Sequence, residues 1–124
     1  RQECVKEISL NHLKCTQVEV AGSFELIAAT KQALSKKFDA VIALGVVLNG
    51  ETPHFDYVCQ AVTSGLTSLA VEYGKPIGFG VLTCNNYQQA YDRAGFSDSK
   101  ENKGKETAQA VLQSIYAHKS LSKK

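Results

Sequence analysis

Several signatures of particular protein classes are missing from this sequence of 124 residues. No apolar run approaches the roughly 20 residues that a membrane-spanning helix needs. The four cysteines form no C-x-x-C pair, and no histidine stands at zinc-finger spacing from them, which argues against a metal site or a disulfide framework. We therefore expect no bound metal, and small core-filling thiols in a reducing compartment.

The sequence also lacks a strong excess of charge. Its 14 basic and 12 acidic residues give a net charge of +2, too little to favour nucleic acid or a membrane surface as a partner. Neither a G-x-G-x-x-G nor a Walker sequence occurs, so nucleotide cofactors have no support. We expect no signal peptide, because the first residues lead into an amphipathic pattern. We expect one domain over residues 1–124 in the cytoplasm, or in a plastid if a transit peptide was removed.

What the sequence does contain is an alternation of strand and helix patterns. Residues 40–48 are almost continuously apolar, which is typical of a parallel strand buried on both faces. Residues 76–82 form another apolar strand, and β-branched residues on alternate positions predict a third at 16–20. Apolar residues at helical spacing predict helices around 4–8, 26–34, 55–70, 86–93 and 108–115. The alternation favours an α/β sandwich with a parallel sheet.

The most informative segment follows the strand at 40–48. Gly50 and Glu51 lead into Thr52, a good N-cap, and Pro53, which suits the first helical position. His54 would then lie beside free backbone amides that can bind a phosphate, in a dipole that disfavours a protonated imidazole. We expect an uncharged His54 that accepts a proton next to an anion site. The alternative, an ordinary helix start with a solvated histidine, stays open from pattern alone.

A second candidate follows the predicted strand at 16–20, at the sheet edge where α/β proteins bind ligands. Ser23 is suited to cap the next helix, and Glu25 to its first turn. Phe24 and Glu25 can stack on and hydrogen-bond a polar aromatic ligand. The alternative places Phe24 in the core.

Three further residues are candidates for ligand contacts. Arg93, at the end of a short helix, can hold a phosphate through two parallel hydrogen bonds, or can simply complement the helix dipole. Lys103 can neutralise an anion or be an ordinary surface lysine. Phe79 can wall a ring-shaped pocket or belong to the core.

These segments together resemble the lumazine synthase family, and the resemblance covers nearly the whole chain. Its most specific element is Gly50-Glu51-Thr52-Pro53-His54-Phe55-Asp56-Tyr57-Val58, preceded by the apolar strand. Four further segments match the family and occur in the same order along the chain: Gly22-Ser23-Phe24-Glu25, Phe79-Gly80-Val81-Leu82-Thr83, Arg93-Ala94-Gly95 and Asn102-Lys103-Gly104. The resemblance implies a three-layer sandwich with a flavodoxin-like parallel sheet flanked by helices.

The resemblance also implies a function. The family condenses 5-amino-6-(ribitylamino)uracil with 3,4-dihydroxy-2-butanone 4-phosphate to 6,7-dimethyl-8-ribityllumazine and phosphate, a transferase reaction of riboflavin biosynthesis that uses no metal or organic cofactor. The implied steps are Schiff-base formation, phosphate elimination and ring closure, which need proton transfer and charge stabilisation.

Through the matching motifs, the resemblance implies that His54 transfers protons. It also implies that Arg93, Glu51 and Thr52 bind the phosphate. The residues expected at the ribityl-pyrimidine substrate are Ser23, Phe24, Glu25, Val46, Val47, Leu48, Phe79 and Lys103. The resemblance further implies a homo-oligomer, a pentamer or a multiple of it, in which Phe79, Lys103 and Arg93 come from the neighbouring subunit.

The sequence departs from the family at a few places. Family members begin with a strand ending in an aromatic residue and Asn; nothing before Thr16 matches it, and we expect upstream residues to supply it. Asn49 replaces a frequent basic residue, which weakens anion attraction, and the loop before Lys103 is slightly longer. The missing strand and Asn49 leave one alternative, a catalytically weakened relative that binds or forms cages. A further alternative is a related α/β enzyme such as the archaeal type of riboflavin synthase, which the intact histidine motif disfavours.

Overall fold

Helices and strands alternate along the residues described by the computed structural model, 1–50 and 53–123. In chain order the elements are α1 (Gln2–Leu10), a 3₁₀ turn (Ser23–Glu25), α2 (Leu26–Leu34), β1 (Val41–Leu48), α3 (His54–Tyr73), β2 (Ile77–Cys84), α4 (Tyr87–Arg93) and α5 (Lys103–Ser122). The two strands are parallel, and their pairing runs without interruption from Val41 opposite Ile77 to Leu48 opposite Cys84.

Two helical layers cover opposite faces of this sheet. On one face α2 and α3 enclose the larger core, whose buried members are Leu34, Ala43, Val47, Val62, Leu66, Leu69 and Val81. On the other face α1 and α5 pack together, and Cys4, Ile8 and Ala108 meet Ile42 and Leu44 of β1. Successive β1 side chains therefore point to different helical layers, as the pleat of a strand requires. The predicted α/β sandwich with a parallel sheet flanked by helices is confirmed.

The long helix α3 shows how an apolar stripe determines an element. Val62, Leu66 and Leu69 recur at three- and four-residue steps, and all three are buried against the sheet. The helix ends at Gly74, whose φ of 61° is left-handed and whose N–H donates to the Ala70 carbonyl at 2.9 Å. Glycine adopts this conformation without the strain that a Cβ would bring. The predicted C-terminal glycine cap is confirmed.

The start of α3 differs slightly from the prediction. Its first helical residue is His54, one position later than we expected, and Pro53 precedes the helix with φ −68° and ψ 0°. The Pro53 carbonyl accepts hydrogen bonds from the amides of Asp56 at 3.1 Å and Tyr57 at 3.3 Å, so it closes the first turn. The predicted Thr52 cap lies outside the described residues.

The predicted strand at residues 16–20 is wrong for the chain as described. The segment has no regular secondary structure and forms no ladder, and Val18 is 79% exposed. A strand exists only through pairing with a neighbour. Among the described residues β1 and β2 pair only with each other, so this segment has no partner despite its favourable β-branched pattern.

All four cysteines carry free thiols, but only two of them fill the core as predicted. Cys4 and Cys84 are buried, Cys59 is partly buried, and Cys15 is exposed. Burial raises the pKa of the Cys4 and Cys59 thiols, because the low-dielectric interior disfavours a thiolate.

Two further features concern residues 1–50 and 53–123. None of the helices there combines the length and the hydropathy that crossing a membrane demands. The same residues contain no group of three or more His, Cys, Asp and Glu side chains placed to hold a metal ion.

The first prediction concerns the core beneath α3. Leu66 is 2% exposed, and its truncation to alanine leaves a cavity between α3 and the sheet. We expect Leu66→Ala to lower the free energy of unfolding by about 2–5 kcal/mol. Val71→Ala, on the same helix but at an 82% exposed position, is the matched control and should change it by less than about 0.5 kcal/mol. Urea denaturation of both variants tests the difference; equal losses would contradict this packing.

Candidate functional site

A groove opens at the carboxyl end of β1, between the 3₁₀ turn and the start of α3. Its volume is about 650 Å³, within the range of small-molecule sites. The residues that line this groove, called here the main groove, are Gly22, Ser23, Phe24, Glu25, Val46, Val47, Leu48, His54, Tyr57, Val58 and Ala61. Seven of the residues predicted at the site therefore lie together.

The 3₁₀ turn is held directly against β1. The Ser23 hydroxyl donates to the Val46 carbonyl at 3.3 Å, so the predicted helix cap at Ser23 is wrong; no side chain caps this turn. The two segments approach so closely that a Cβ at Gly45 would lie 2.7 Å from Ser23 Oγ and 3.2 Å from Leu26 Cδ1. Gly45 thus permits the approach that forms one wall of the main groove.

The walls of the main groove suit a flat, polar ligand. Phe24 is 57% exposed, so the alternative that placed it in the core is wrong. Val46 and Leu48 are exposed on the strand side, whereas Val47 is buried beneath them. An exposed ring and an apolar strand end can hold an aromatic ring, while the Glu25 carboxylate can accept hydrogen bonds from ligand hydroxyls.

His54 brings a proton-transfer group to the same groove. It is exposed at the first position of α3, and partly buried Phe55 anchors this end of the helix on the core. The first N–H groups of a helix have no partner within it, so they can bind an anion. Glu51 and Thr52, predicted to help bind the phosphate, lie outside the described residues.

Tyr57 is one of the lining residues that were not predicted from the sequence. It is 67% exposed, one turn after His54 on α3. Val58 and Ala61 follow on the same helical face, at the three- and four-residue steps that bring side chains together. Reading α3 outward from His54 at this spacing would have found them.

Phe79 and Lys103 lie elsewhere on the chain. They line a second cavity of about 200 Å³ between β2 and α5, together with Thr107. This cavity and the main groove share no lining residue. Phe79 is 42% exposed, and Lys103 Nζ lies 4.0 Å from Glu106 Oε2 in a surface ion pair. The part of the chain that the structure describes therefore does not gather all the predicted residues into one pocket.

Arg93 belongs to a third location, at the carboxyl end of β2. Its Nη1 donates to Cys84 Sγ at 3.4 Å and to the Gln89 carbonyl at 3.5 Å. Its Nε lies 3.8 Å from a carboxylate oxygen of Glu101. The sequence reasoning did not identify Glu101, because this residue belongs to a loop without hydrophobic periodicity.

Side-chain amides connect the ends of the two strands. The Asn49 side chain donates to Asn85 Oδ1 at 3.2 Å, and the Asn49 backbone amide donates to the Cys84 carbonyl at 2.8 Å. The Asn85 backbone amide donates in turn to Gln89 Oε1 at 2.7 Å. These bonds join the segment before Gly50 to α4 without adding a positive charge, so the expected weaker anion attraction at Asn49 stays a prediction.

Comparisons with known proteins give one consistent result. A family model described as 6,7-dimethyl-8-ribityllumazine synthase matches residues 1–119. A protein of that name from Paenarthrobacter aurescens is 56% identical over 107 residues, 86% of this chain and 66% of the relative. One from Pseudarthrobacter chlorophenolicus is 59% identical over 78% of this chain and 60% of the relative. One from Streptomyces coelicolor is 50% identical over 86% and 66% respectively. The chain thus spans 60 to 66% of the length of these curated relatives.

Proposed function

We propose, since this chain belongs to the 6,7-dimethyl-8-ribityllumazine synthase family, that the protein condenses 5-amino-6-(ribitylamino)uracil with 3,4-dihydroxy-2-butanone 4-phosphate. The products are 6,7-dimethyl-8-ribityllumazine, phosphate and two molecules of water. The observation that carries the proposal is the main groove, which gathers seven of the expected residues at one strand end.

The main groove has the chemistry that this reaction needs. The pyrimidine ring lies against Phe24 and the Val46–Leu48 strand end, and Glu25 accepts hydrogen bonds from the ribityl hydroxyls. His54 moves protons as the substrate amine attacks the ketone to form the Schiff base and as phosphate is then eliminated. Helix-end amides and Arg93 stabilise the charge on the departing phosphate.

The test mixes the full-length protein with both substrates and follows the absorbance of the lumazine formed. We expect turnover that requires both substrates. No product would overturn the proposal in favour of a binding or cage-forming relative. Conversion of added lumazine to riboflavin would instead indicate a riboflavin synthase.

We further propose that the active site is shared between copies of the chain in a homopentamer or a multiple of it. The support is the division of the expected residues: His54 lies in the main groove, whereas Arg93, Phe79 and Lys103 lie outside it. A neighbouring copy can bring the second group to the first through a head-to-tail interface. Light scattering distinguishes a pentamer from a decamer or a closed shell.

Mixing two inactive variants tests this sharing. His54→Ala and Arg93→Ala subunits, unfolded together and reassembled in equal amounts, should regain about one quarter of wild-type activity, because random head-to-tail assembly pairs an intact His54 with an intact Arg93 at that frequency. Each variant reassembled alone is the control. No recovery in a mixture that forms assemblies of wild-type size would contradict a shared site.

A further inference from the structure

We propose that Glu101 is a positioning residue for Arg93, which it holds so that the terminal guanidinium nitrogens face the substrate phosphate. The inference rests on the proposed function, in which Arg93 is a phosphate ligand. Glu101 lies in the loop of residues 94–102, called here the 94–102 loop, between α4 and α5.

The contacts of Arg93 orient its guanidinium plane. Glu101 approaches Nε at 3.8 Å on one edge, while Nη1 is turned toward Cys84 Sγ and the Gln89 carbonyl. Among the described residues, no hydrogen bond uses Nη2. A guanidinium carries five N–H donors in a rigid fork. Nη2 therefore keeps both of its hydrogens for a phosphate, and Nη1 adds the second parallel bond by giving up its long 3.5 Å contact to the Gln89 carbonyl.

The loop places Glu101 independently of this ion pair. Ser99 Oγ donates to the Tyr91 carbonyl at 2.6 Å and accepts from the Phe96 amide at 3.0 Å. The rings of Tyr91 and Phe96 stack at 4.7 Å, and the Glu101 amide donates to the Asp92 carbonyl at 2.6 Å. The loop is thus tied to α4 at residues before Glu101 and at Glu101 itself.

Further bonds close the loop. The Tyr91 hydroxyl donates to the Asp98 carboxylate, and this hydrogen bond raises the pKa of Tyr91. The Gly95 amide donates to the Glu101 carbonyl at 3.1 Å. Gly95 has a φ of +84°, and a Cβ there would lie 2.6 Å from Asn102 Oδ1, so glycine is needed at this point. A loop closed in this way keeps Glu101 beside α4 whether or not a ligand is bound.

The expected effect is moderate, because the pair is partly exposed. The side chains of Arg93 and Glu101 are 35% and 46% exposed, and such ion pairs contribute little attraction of their own. Their use is to immobilise a long side chain before the phosphate arrives. Losing one such restraint weakens binding by about three- to tenfold.

Steady-state kinetics of the full-length protein test the proposal. We expect Glu101→Ala to raise the KM for the phosphorylated substrate and the Ki of inorganic phosphate by about three- to tenfold, with the KM for the pyrimidine unchanged. Glu101→Gln should recover only part of this loss, since it keeps the size of the side chain and an oxygen toward Nε but loses the charge of an ion pair that spans 3.8 Å. Glu72→Ala removes an exposed carboxylate on α3 and is the matched control for net charge.

A double variant separates positioning from other roles. If Glu101 acts through Arg93, adding Glu101→Ala to Arg93→Ala should cause no further loss. The proposal is overturned by additive losses, by an unchanged or lower KM in Glu101→Ala, or by a Glu101→Gln variant no better than Glu101→Ala. The proposed function fails separately, if the wild-type protein forms no lumazine. In that case calorimetric titration of the same variants with inorganic phosphate still decides the positioning role.

Discussion

Replacing His54 with alanine is expected to lower kcat for lumazine formation by about 10²- to 10³-fold, the usual contribution of a positioned general acid or base. His54 lies at the exposed start of α3 and lines the main groove with Phe24 and Glu25. The condensation requires several proton transfers, and in the variant water must carry them out in place of His54. The walls that bind the pyrimidine stay intact, so its KM should change by no more than about twofold. Lumazine absorbance measures both quantities.

The matched control is His118→Ala, which removes an exposed histidine from α5, away from the main groove. It should leave kcat unchanged. Far-ultraviolet circular dichroism and the assembly size of both variants establish that each is folded. A folded His54→Ala variant with wild-type kcat would show that proton transfer belongs to another group. A large rise in the pyrimidine KM without loss of kcat would make His54 a binding residue instead.

The elements that could be predicted from the sequence are those whose burial repeats at regular spacing. Helix α3 has one apolar stripe over its whole length, and β1 is apolar on both faces because helices cover both. Such patterns indicate which face of an element is buried, and they can be found from the local sequence alone. The same patterns locate the ends of an element less exactly, and α3 accordingly begins one residue later than expected.

The segment at 16–20 shows where this reasoning stops. Its alternating β-branched residues suit a strand, but strand formation depends on a neighbouring strand that the pattern cannot specify. Ser23 fails for a related reason, since its hydroxyl bonds to the Val46 carbonyl, 23 positions away along the chain. Both outcomes were decided by contacts between distant segments.

The candidate site divides in the same way. Seven residues of the main groove could be predicted because they form the turn before α2, the end of β1 and the start of α3, which local motifs describe. The relation of His54 to Arg93, Phe79 and Lys103 could not, because the described residues of one chain hold them apart. Glu101 could not be predicted either, since its place depends on the hydrogen bonds of the 94–102 loop.

Replacing Arg93 with alanine should produce the other large effect, a fall of about 10²- to 10³-fold in kcat/KM for the phosphorylated substrate. Two charge-assisted hydrogen bonds to a phosphate contribute roughly this much when both are lost. The KM for the pyrimidine should not change, because Arg93 is not among the residues that line the main groove. Inhibition by inorganic phosphate should disappear together with the affinity for the phosphorylated substrate.

Arg93→Lys is the matched variant, because it keeps the charge but loses the planar fork. It should recover only part of the activity if two parallel hydrogen bonds hold the phosphate, and nearly all of it if Arg93 acts as a point charge. Unchanged kcat and KM for the phosphorylated substrate in Arg93→Ala would refute the phosphate role. The result also bears on assembly: a phosphate defect from a residue outside the main groove would support the proposal that Arg93 reaches the main groove of a neighbouring copy.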